Sequence, residues 1–470
     1  MSKRIAIIGA GPGGYVAAIR AAQLNADVYL IEKGEIGGTC LNRGCIPTKT
    51  YFSIAKMMSS LKRANEFGIQ VDGYKLDGKI LKERKQTIVN TLVTGIEKLI
   101  SSYRNIEFIA GTAALKDKNT VTVQLNDGGK REIEADNIII ATGSYPQMTE
   151  TKGVDLEGVI TSDELLELDH IPETLIVVGG GVIGLEFASI YKELGSHVIL
   201  LASRILKDSD KEIGKRLTPM LKKQGIETYV DIRAKEITRE GHKLKVLARY
   251  KEKDEEIEVW GDYVLIASGR GPVTEGLNLE GVGIETSQKG ILVNDDFETT
   301  VPGIYAIGDV NSKGIQLAHV ASAQGEYVVE KIMGHKPDIV LYHFPSCVFT
   351  MNEVAQAGFT EDQLKEKGIE YKVSKFMFSA NGKALSLGEP EGIVKILAGK
   401  DDDKILGIHI LGPHANDLIH EGALAIANQL DAAAITRTIH AHPTLSEAVH
   451  EAALGLNDGA IHITPKRKRN

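Results

Sequence analysis

Short apolar runs that stop at glycines set the rhythm of this chain. Ile5-Ala6-Ile7-Ile8 runs into Gly9-Ala10-Gly11-Pro12-Gly13-Gly14, and a helical pattern follows over residues 15–24. Residues 27–31 are a second apolar strand ending at Glu32. The same order returns at residues 175–178, with Gly179-Gly180-Gly181-Val182-Ile183-Gly184, a helix to Leu194 and a strand over 197–201. Apolar runs bounded by turn residues and alternating with helical periodicity predict two matching strand–turn–helix–strand units. Ile138-Ile139-Ile140-Ala141-Thr142-Gly143 is a later strand closing on a tight turn, and Val264-Leu265-Ile266-Ala267-Ser268-Gly269-Arg270 repeats that form. Ile304-Tyr305-Ala306-Ile307-Gly308-Asp309 is a third short strand with an acid at its tip. From about Phe344 the chain is richer in His, with a β-like stretch over 405–410 and then Ala-rich helices. A further domain is expected there, with Asp401-Asp402-Asp403 as a surface turn.

The glycines carry the first candidate chemistry. In Gly9-x-Gly11-x-x-Gly14 the first glycine permits the turn and the second lets a pyrophosphate approach the backbone. The third packs helix on strand, and the helix N-terminus faces the phosphates. Glu32 lies 23 residues after Gly9, where a carboxylate accepts from a ribose hydroxyl. The bland alternative is a glycine-rich turn beside an exposed Glu32. Gly179, Gly181 and Gly184 repeat the pattern, but the acid is missing: the strand runs into Ala202-Ser203 and then Arg204. An acid there favours NAD, while an Arg accepts a 2′-phosphate. The choice of NAD or NADP is therefore open, with Arg204 as an ordinary surface cation the other reading.

Composition narrows the field. A length of 470 residues suggests roughly three domains. Charged residues are 25%, so disorder is not expected. A net charge of −8 excludes a global basic field for nucleic acid. The basic run Lys466-Arg467-Lys468-Arg469 reads as a solvated end. No apolar run reaches the ~18–20 residues of a membrane span. Lys3-Arg4 and the run after it break at Gly9, unlike a secretory signal, so the mature chain is expected to start here and to be cytoplasmic.

The only cysteines are Cys40, Cys45 and Cys347, too few for a disulfide framework. Two lie five apart in Gly37-Gly38-Thr39-Cys40-Leu41-Asn42-Arg43-Gly44-Cys45-Ile46-Pro47-Thr48-Lys49, directly after the first unit. In a regular helix their Cα atoms would be ~8–9 Å apart, beyond the ~7 Å a disulfide tolerates. If they bridge, the segment is irregular, and Gly44 supplies that freedom. So small a ring adds only about 2 kcal/mol, so the pair reads as redox-active rather than a staple. Two separate buried cysteines, or half a metal site, are the alternatives. A metal would need further ligands, and no second cysteine pair exists, so no metal is expected. Cys347 reads as a buried apolar residue.

Residues 37–49 resemble the active-site signature of the flavoprotein disulfide reductases, the FAD-dependent pyridine nucleotide-disulfide oxidoreductases of class I. The chain carries, in that family's order, the first glycine fingerprint, Ala141-Thr142-Gly143, the second fingerprint with Glu186-Phe187, Gly308-Asp309 and His442-Pro443-Thr444. The resemblance covers nearly the whole chain. His440-Ala441-His442-Pro443-Thr444-Leu445-Ser446-Glu447-Ala448, Ile315-Gln316-Leu317-Ala318-His319 and the lack of a cysteine near the C-terminus favour the branch that oxidises dihydrolipoamide.

The resemblance implies an α/β fold: two Rossmann-like dinucleotide-binding domains plus an α+β C-terminal dimerisation domain. Residues 1–144 and 271–343 would form the FAD-binding and central parts, 145–270 the NAD(P)-binding domain and 344–470 the interface domain. It implies FAD and NAD as cofactors and a homodimer. Its partners would be the lipoyl domain and core acyltransferase of a 2-oxo acid or acetoin dehydrogenase complex, with no nucleic acid and no membrane. The implied catalytic residues are Cys40, Cys45, His442 from the other subunit, and Glu447. The implied cofactor contacts are Gly9, Gly11, Gly13, Gly14, Glu32, Lys33, Gly38, Thr39, Lys49, Ala113, Thr142, Gly143, Gly179, Gly181, Gly184, Glu186, Gly269, Asp309 and Ala318. Lys49 would sit near the flavin ring, paired with Glu186, and Asp309 near the ribityl or phosphate. An imidazole near 6.5 is a suitable acceptor for a thiol proton, and a carboxylate on its other nitrogen fixes the tautomer. Against this, Thr444-x-x-Glu447 is also a capping box, and His440 competes with His442. Two residues depart from the family: Ala202, and Asn352 in Phe349-Thr350-Met351-Asn352-Glu353 where a proline is usual. The alternatives are an NADPH-dependent reductase of a small disulfide such as glutathione, and a non-catalytic flavoprotein scaffold.

Overall fold

β1 (Arg4–Ile8) has both faces covered, as a central parallel strand requires. The chain turns at Gly9 into α1 (Pro12–Gln23), where Pro12 sits in the first turn and its missing N–H costs nothing. The helix starts before residue 15 because Gly13 and Gly14 already form its first turn, pressed against the strands. β2 (Asp27–Glu32) returns parallel to β1, with Ile8 opposite Ile31. Helices α2 (Gly38–Arg43) and α3 (Cys45–Lys62) follow, separated by Gly44 alone. After α4 (Gly78–Ser102), β3 (Ile106–Leu115) pairs parallel with β2 in its first half and antiparallel with Thr120–Leu125 in its second. β4 (Asn137–Ile140) lies parallel on the other side of β1.

The second unit repeats the plan with β5 (Thr174–Val178), α5 (Val182–Leu194), β6 (His197–Ala202) and β7 (Tyr263–Ile266). Its five-stranded sheet is parallel throughout. A three-stranded antiparallel sheet packs on one face, Val246 and Val259 meeting Ile176 and Ile199 in one apolar cluster. β8 (Ile304–Ala306) then rejoins the first sheet beside β4, and α6 (Ala318–Ile332) packs on α1. The first sheet is thus assembled from two separate stretches of chain. The C-terminal sheet has five antiparallel strands, from Ser346–Val348 to Tyr371–Met377 at its edges. It carries α7 (Ala415–Ala427) and α8 (Glu447–Leu454).

One apolar cluster runs from Tyr51 and Phe52 of α3 through Phe187 and Tyr191 of α5 to Val354 and Leu411. It ties the cysteine-bearing helix to both other units. The fully buried Lys395 ties the second unit to the C-terminal sheet: its ammonium lies 2.8 Å from Asp210 and 2.6 Å from Glu361. The computed structural model describes residues 2–457 and 459–464, so the basic run 466–469 lies outside them. No helix among the described residues is long and apolar enough to cross a membrane.

Candidate active site

The two glycine turns are set by contact distances. Gly9 has φ +106°, and a Cβ there would lie 2.4 Å from the Ala141 carbonyl oxygen. A Cβ on Gly14 would lie 1.8 Å from the Gly9 oxygen. The second turn repeats both contacts: Gly179 at 2.2 Å from Ala267 O, and Gly184 at 2.1 Å from Gly179 O. Gly11 and Gly181 are different. A Cβ on Gly11 would meet nothing nearer than 4.0 Å, and one on Gly181 nothing at all. Both cap a helix N-terminus with no side-chain partner. The donors of that first turn therefore face open space, which fits a dinucleotide pyrophosphate. At the end of β2 the Glu32 carboxylate accepts from Ala10 N–H (2.7 Å) and Gly34 N–H (2.8 Å).

Both turns open into one cleft of about 2190 Å³. It is lined by Cys40, Cys45, Lys49, Gly9, Gly11, Gly13, Glu32, Lys33, Gly38, Thr39 and Ala113. Thr142, Gly143, Gly179, Gly181, Glu186, Gly269, Asp309 and Ala318 complete the set. Four residues singled out from the sequence do not line it: Gly14 and Gly184, which pack helix on strand, and His442 and Glu447.

The cysteines flank a helix break. Gly44 (φ −131°, ψ −112°) ends α2 and opens α3, and a Cβ there would lie 2.9 Å from Thr39 O. Both cysteines carry free thiols and are in hydrogen-bond contact. Donation by the Cys40 thiol holds the Cys45 thiol down at about 7, helped by the Lys49 ammonium against burial and Glu186. That same hydrogen bond, with burial, pushes the Cys40 thiol far above its ordinary value. The proton belongs on Cys40 and the charge on Cys45. Lys49 Nζ lies 2.8 and 3.0 Å from the oxygens of the buried Glu186 and 4.5 Å over the Phe349 ring. Phe349 N–H in turn donates to Glu186 (3.0 Å). In the segment with Asn352, the Thr350 hydroxyl donates to Asn352 O (2.6 Å), and Glu353 pairs with Lys56 of α3 (2.5 Å).

Two partners of Asp309, Ser144 and Arg270, were missed by sequence reasoning; the three form a part-buried group. The Ser144 hydroxyl donates to Asp309 (2.6 Å) and accepts from Arg270 Nε (2.8 Å), while Arg270 Nη2 donates to Ser144 O (2.8 Å). Burial raises the Asp309 carboxyl in spite of these partners. The signal was present: Ser268-Gly269-Arg270 repeats the turn at Thr142-Gly143-Ser144, and both turns face the cleft.

His442 Nδ1 lies 2.9 Å from Glu447 Oε1, and Glu447 Oε2 accepts from Thr444 N–H (2.8 Å). Burial works against the Glu447 carboxylate, but Thr444 N–H and His442 hold its pKa below the usual value. Only one arm of the capping box forms, Thr444 N–H to Glu447: α8 is capped at Ser446 without a side-chain bond, and the Thr444 hydroxyl donates to Ala441 O (2.7 Å). His440 is engaged within its own chain. It is 7% exposed, with one ring nitrogen 2.9 Å from Glu421 and the other 2.9 Å from Thr438 O. His442, by contrast, is 79% exposed. Cys347 is half-buried rather than buried; it lines the cleft, and burial pushes its thiol up to about 11.

Residues 3–325 match the family described as pyridine nucleotide-disulphide oxidoreductase, and residues 344–453 match its dimerisation domain. The chain is 41% identical to mitochondrial dihydrolipoyl dehydrogenase 1 of Arabidopsis thaliana, over 98% of this chain and 91% of that one. It is 40% identical to a dihydrolipoyl dehydrogenase of Bacillus subtilis, over 98% and 99%. Among solved structures it is similar to LpdA from Mycobacterium tuberculosis, with a TM-score of 0.88 and 29% identity over 96% of this chain and 99% of that one.

Proposed function

This chain belongs to the pyridine nucleotide-disulphide oxidoreductase family, and from that premise we propose that it oxidises protein-bound dihydrolipoamide with NAD+. It does so as the dehydrogenase component of a 2-oxo acid or acetoin dehydrogenase complex. One observation carries the reading: Cys40 and Cys45 meet at a helix break inside a cleft walled by two dinucleotide folds, with Cys45 poised at about 7. Two electrons leave the dithiol as its sulfurs join. The overall balance is dithiol plus NAD+ to disulfide, NADH and one proton. FAD held at the first turn would supply the chemistry of accepting electrons from sulfur and releasing them as hydride.

The chain's own residues divide the remaining work. With the two cysteines joined, a substrate thiolate attacks Cys40 Sγ, and the electron pair of the broken S–S bond goes to Cys45. A sulfur of low pKa is the better leaving group, and Lys49, steadied by Glu186, holds the resulting charge. The second substrate thiol then displaces Cys40, closing the lipoyl disulfide, and Cys40 leaves with the proton that its raised pKa favours. His442 takes the substrate thiol proton at Nε2 while Nδ1–H donates to Glu447, which fixes the tautomer. Because His442 is exposed and lies off its own chain's cleft, a second copy brings it to Cys40, and the working unit is a homodimer. Gly9, Gly11, Gly13 and Gly14 shape the FAD pyrophosphate cradle. Glu32 takes the adenosine ribose, and Gly38, Thr39, Ala113, Thr142, Gly143, Asp309 and Ala318 wall the rest.

Residues 1–144 with 271–343 form the FAD-binding and central parts, 145–270 the nicotinamide unit and 344–470 the interface domain. Its partners are a lipoyl domain and a core acyltransferase. A chain whose few cysteines include a redox pair suits a reducing compartment, the cytoplasm. The test is direct: the purified holoenzyme should carry one FAD per chain and reduce NAD+ with dihydrolipoamide. Turnover of glutathione disulfide with NADPH, and none with lipoamide, would assign it to the reductase alternative instead.

A further inference from the structure

The two nucleotide units can be compared position for position. Gly9 N–H donates to Ile31 O (2.7 Å) and Gly179 N–H to Leu201 O (2.9 Å), so Ala202 stands where Glu32 stands. The first strand end presents a carboxylate and the second a buried methyl. A Cβ on Gly180 would lie 2.7 Å from the Ala202 Cβ, so this strand end lies against the turn as Glu32 does. Beyond Ala202 the wall of the cleft is cationic: Arg204, Lys207 and Lys251 line it with Ser203 and Ser209, and Asp208 is the acid among them. All three cations are exposed, and none is in an ion pair among the described residues; Lys251 Nζ reaches only Ser203 O, at 3.3 Å.

A carboxylate at this position accepts from a ribose 2′-OH and repels a 2′-phosphate. Here that repulsion is gone. Three positive charges instead line the cleft beyond this strand end, where a 2′-phosphate would bring up to two negative ones, and the Arg fork matches phosphate oxygens. We propose that the second site takes the 2′-phosphorylated dinucleotide, NADP(H), at least as tightly as NAD(H), with Arg204 the principal phosphate partner and Lys207 and Lys251 adding charge. The inference rests on, and deepens, the reading of the second turn as the nicotinamide dinucleotide site.

The test is calorimetric titration of the FAD-loaded full-length protein with adenosine 2′,5′-bisphosphate and with AMP. The bisphosphate should bind about tenfold tighter at low salt, as charge-assisted pairing predicts, and the margin should shrink as salt rises. Arg204→Ala should remove most of the margin. Ala202→Glu should reverse it; since Ala202 is buried, the surface variant carries the test if that protein misfolds. Weaker binding of the bisphosphate than of AMP, or a margin indifferent to Arg204→Ala, overturns the inference. Failure of both nucleotides to bind would instead overturn the assignment of the second turn.

Discussion

At Gly9 and at Gly179 the backbone does the same thing for the same reason. A left-handed glycine lies against a carbonyl of the neighbouring strand's turn, a second glycine five residues on touches the first, and a helix opens onto the cleft. The side chains at the strand ends then part. Glu32 is held by two N–H groups, whereas Ala202 offers nothing and hands the wall to Arg204, Lys207 and Lys251. After its second strand the first unit runs into the two helices that carry Cys40 and Cys45; the second runs into that cationic wall. The lesson is a division of labour. Steric contacts between backbone atoms shape a cradle for a dinucleotide pyrophosphate in both halves, and the side chains at and just beyond the strand end set whether a free or a phosphorylated ribose 2′ position suits each.

The largest test of that equivalence is steric. Gly14→Ala and Gly184→Ala should each cost the stable holoprotein, because a Cβ near 2 Å from a carbonyl oxygen cannot be absorbed by a side-chain shift. Gly11→Ala should fold yet retain FAD poorly. Circular dichroism with flavin content reads all three, and tolerance of Gly184→Ala alone would break the parallel between the units. Next in size, Cys45→Ser should abolish turnover, while Cys347→Ser should retain it, which separates the cysteine at the helix break from the one on the C-terminal sheet. His442→Gln should slow dithiol oxidation by ~10²–10⁴. Dimers reformed from mixed His442→Gln and Cys45→Ser chains should regain activity, because one of their two clefts draws a sound cysteine pair and a sound histidine from different chains. Silence of that mixture would refute the shared site.

The smallest effect sharpens the charge assignment. The Cys45 thiol is depressed, so in the reduced protein it is charged above about pH 7 and protonated below. Its alkylation by iodoacetamide should fall as pH drops through that value. Lys49→Met removes a charge that favours the thiolate, so the midpoint should move up; a downward move would contradict the role given to Lys49.

The parts of this site that were legible in the sequence are local. The Gly9–Gly14 turn, the spacing to Glu32 and the break at Gly44 are fixed by neighbours within a few residues or along one strand pair. The repeated turns and Asp309 were visible, but their meeting as an Arg270–Ser144–Asp309 group was not, because its members are 126 and 165 residues apart and meet only when β8 rejoins the first sheet. The Lys395 anchor joins residues 185 apart for the same reason. Thr444 and Glu447 misled in a different way. The spacing fits a capping box, but the imidazole of His442 and the Thr444 N–H claim the carboxylate, and the helix begins beyond them. That His442 works from the other subunit was implied by the family resemblance alone; the residue pattern of one chain carries no sign of it.

The central claim concerns a pair of sulfurs that join and part with substrate. The measurement that reaches it is differential alkylation, read by mass spectrometry, of the oxidised holoenzyme before and after one anaerobic equivalent of dihydrolipoamide. The account predicts that Cys40 and Cys45 are both protected beforehand and both labelled afterwards, with lipoamide formed in equal amount and Cys347 unchanged. Labelling of both cysteines before any dithiol is added, or consumption of dithiol without new label at Cys40 and Cys45, would contradict it.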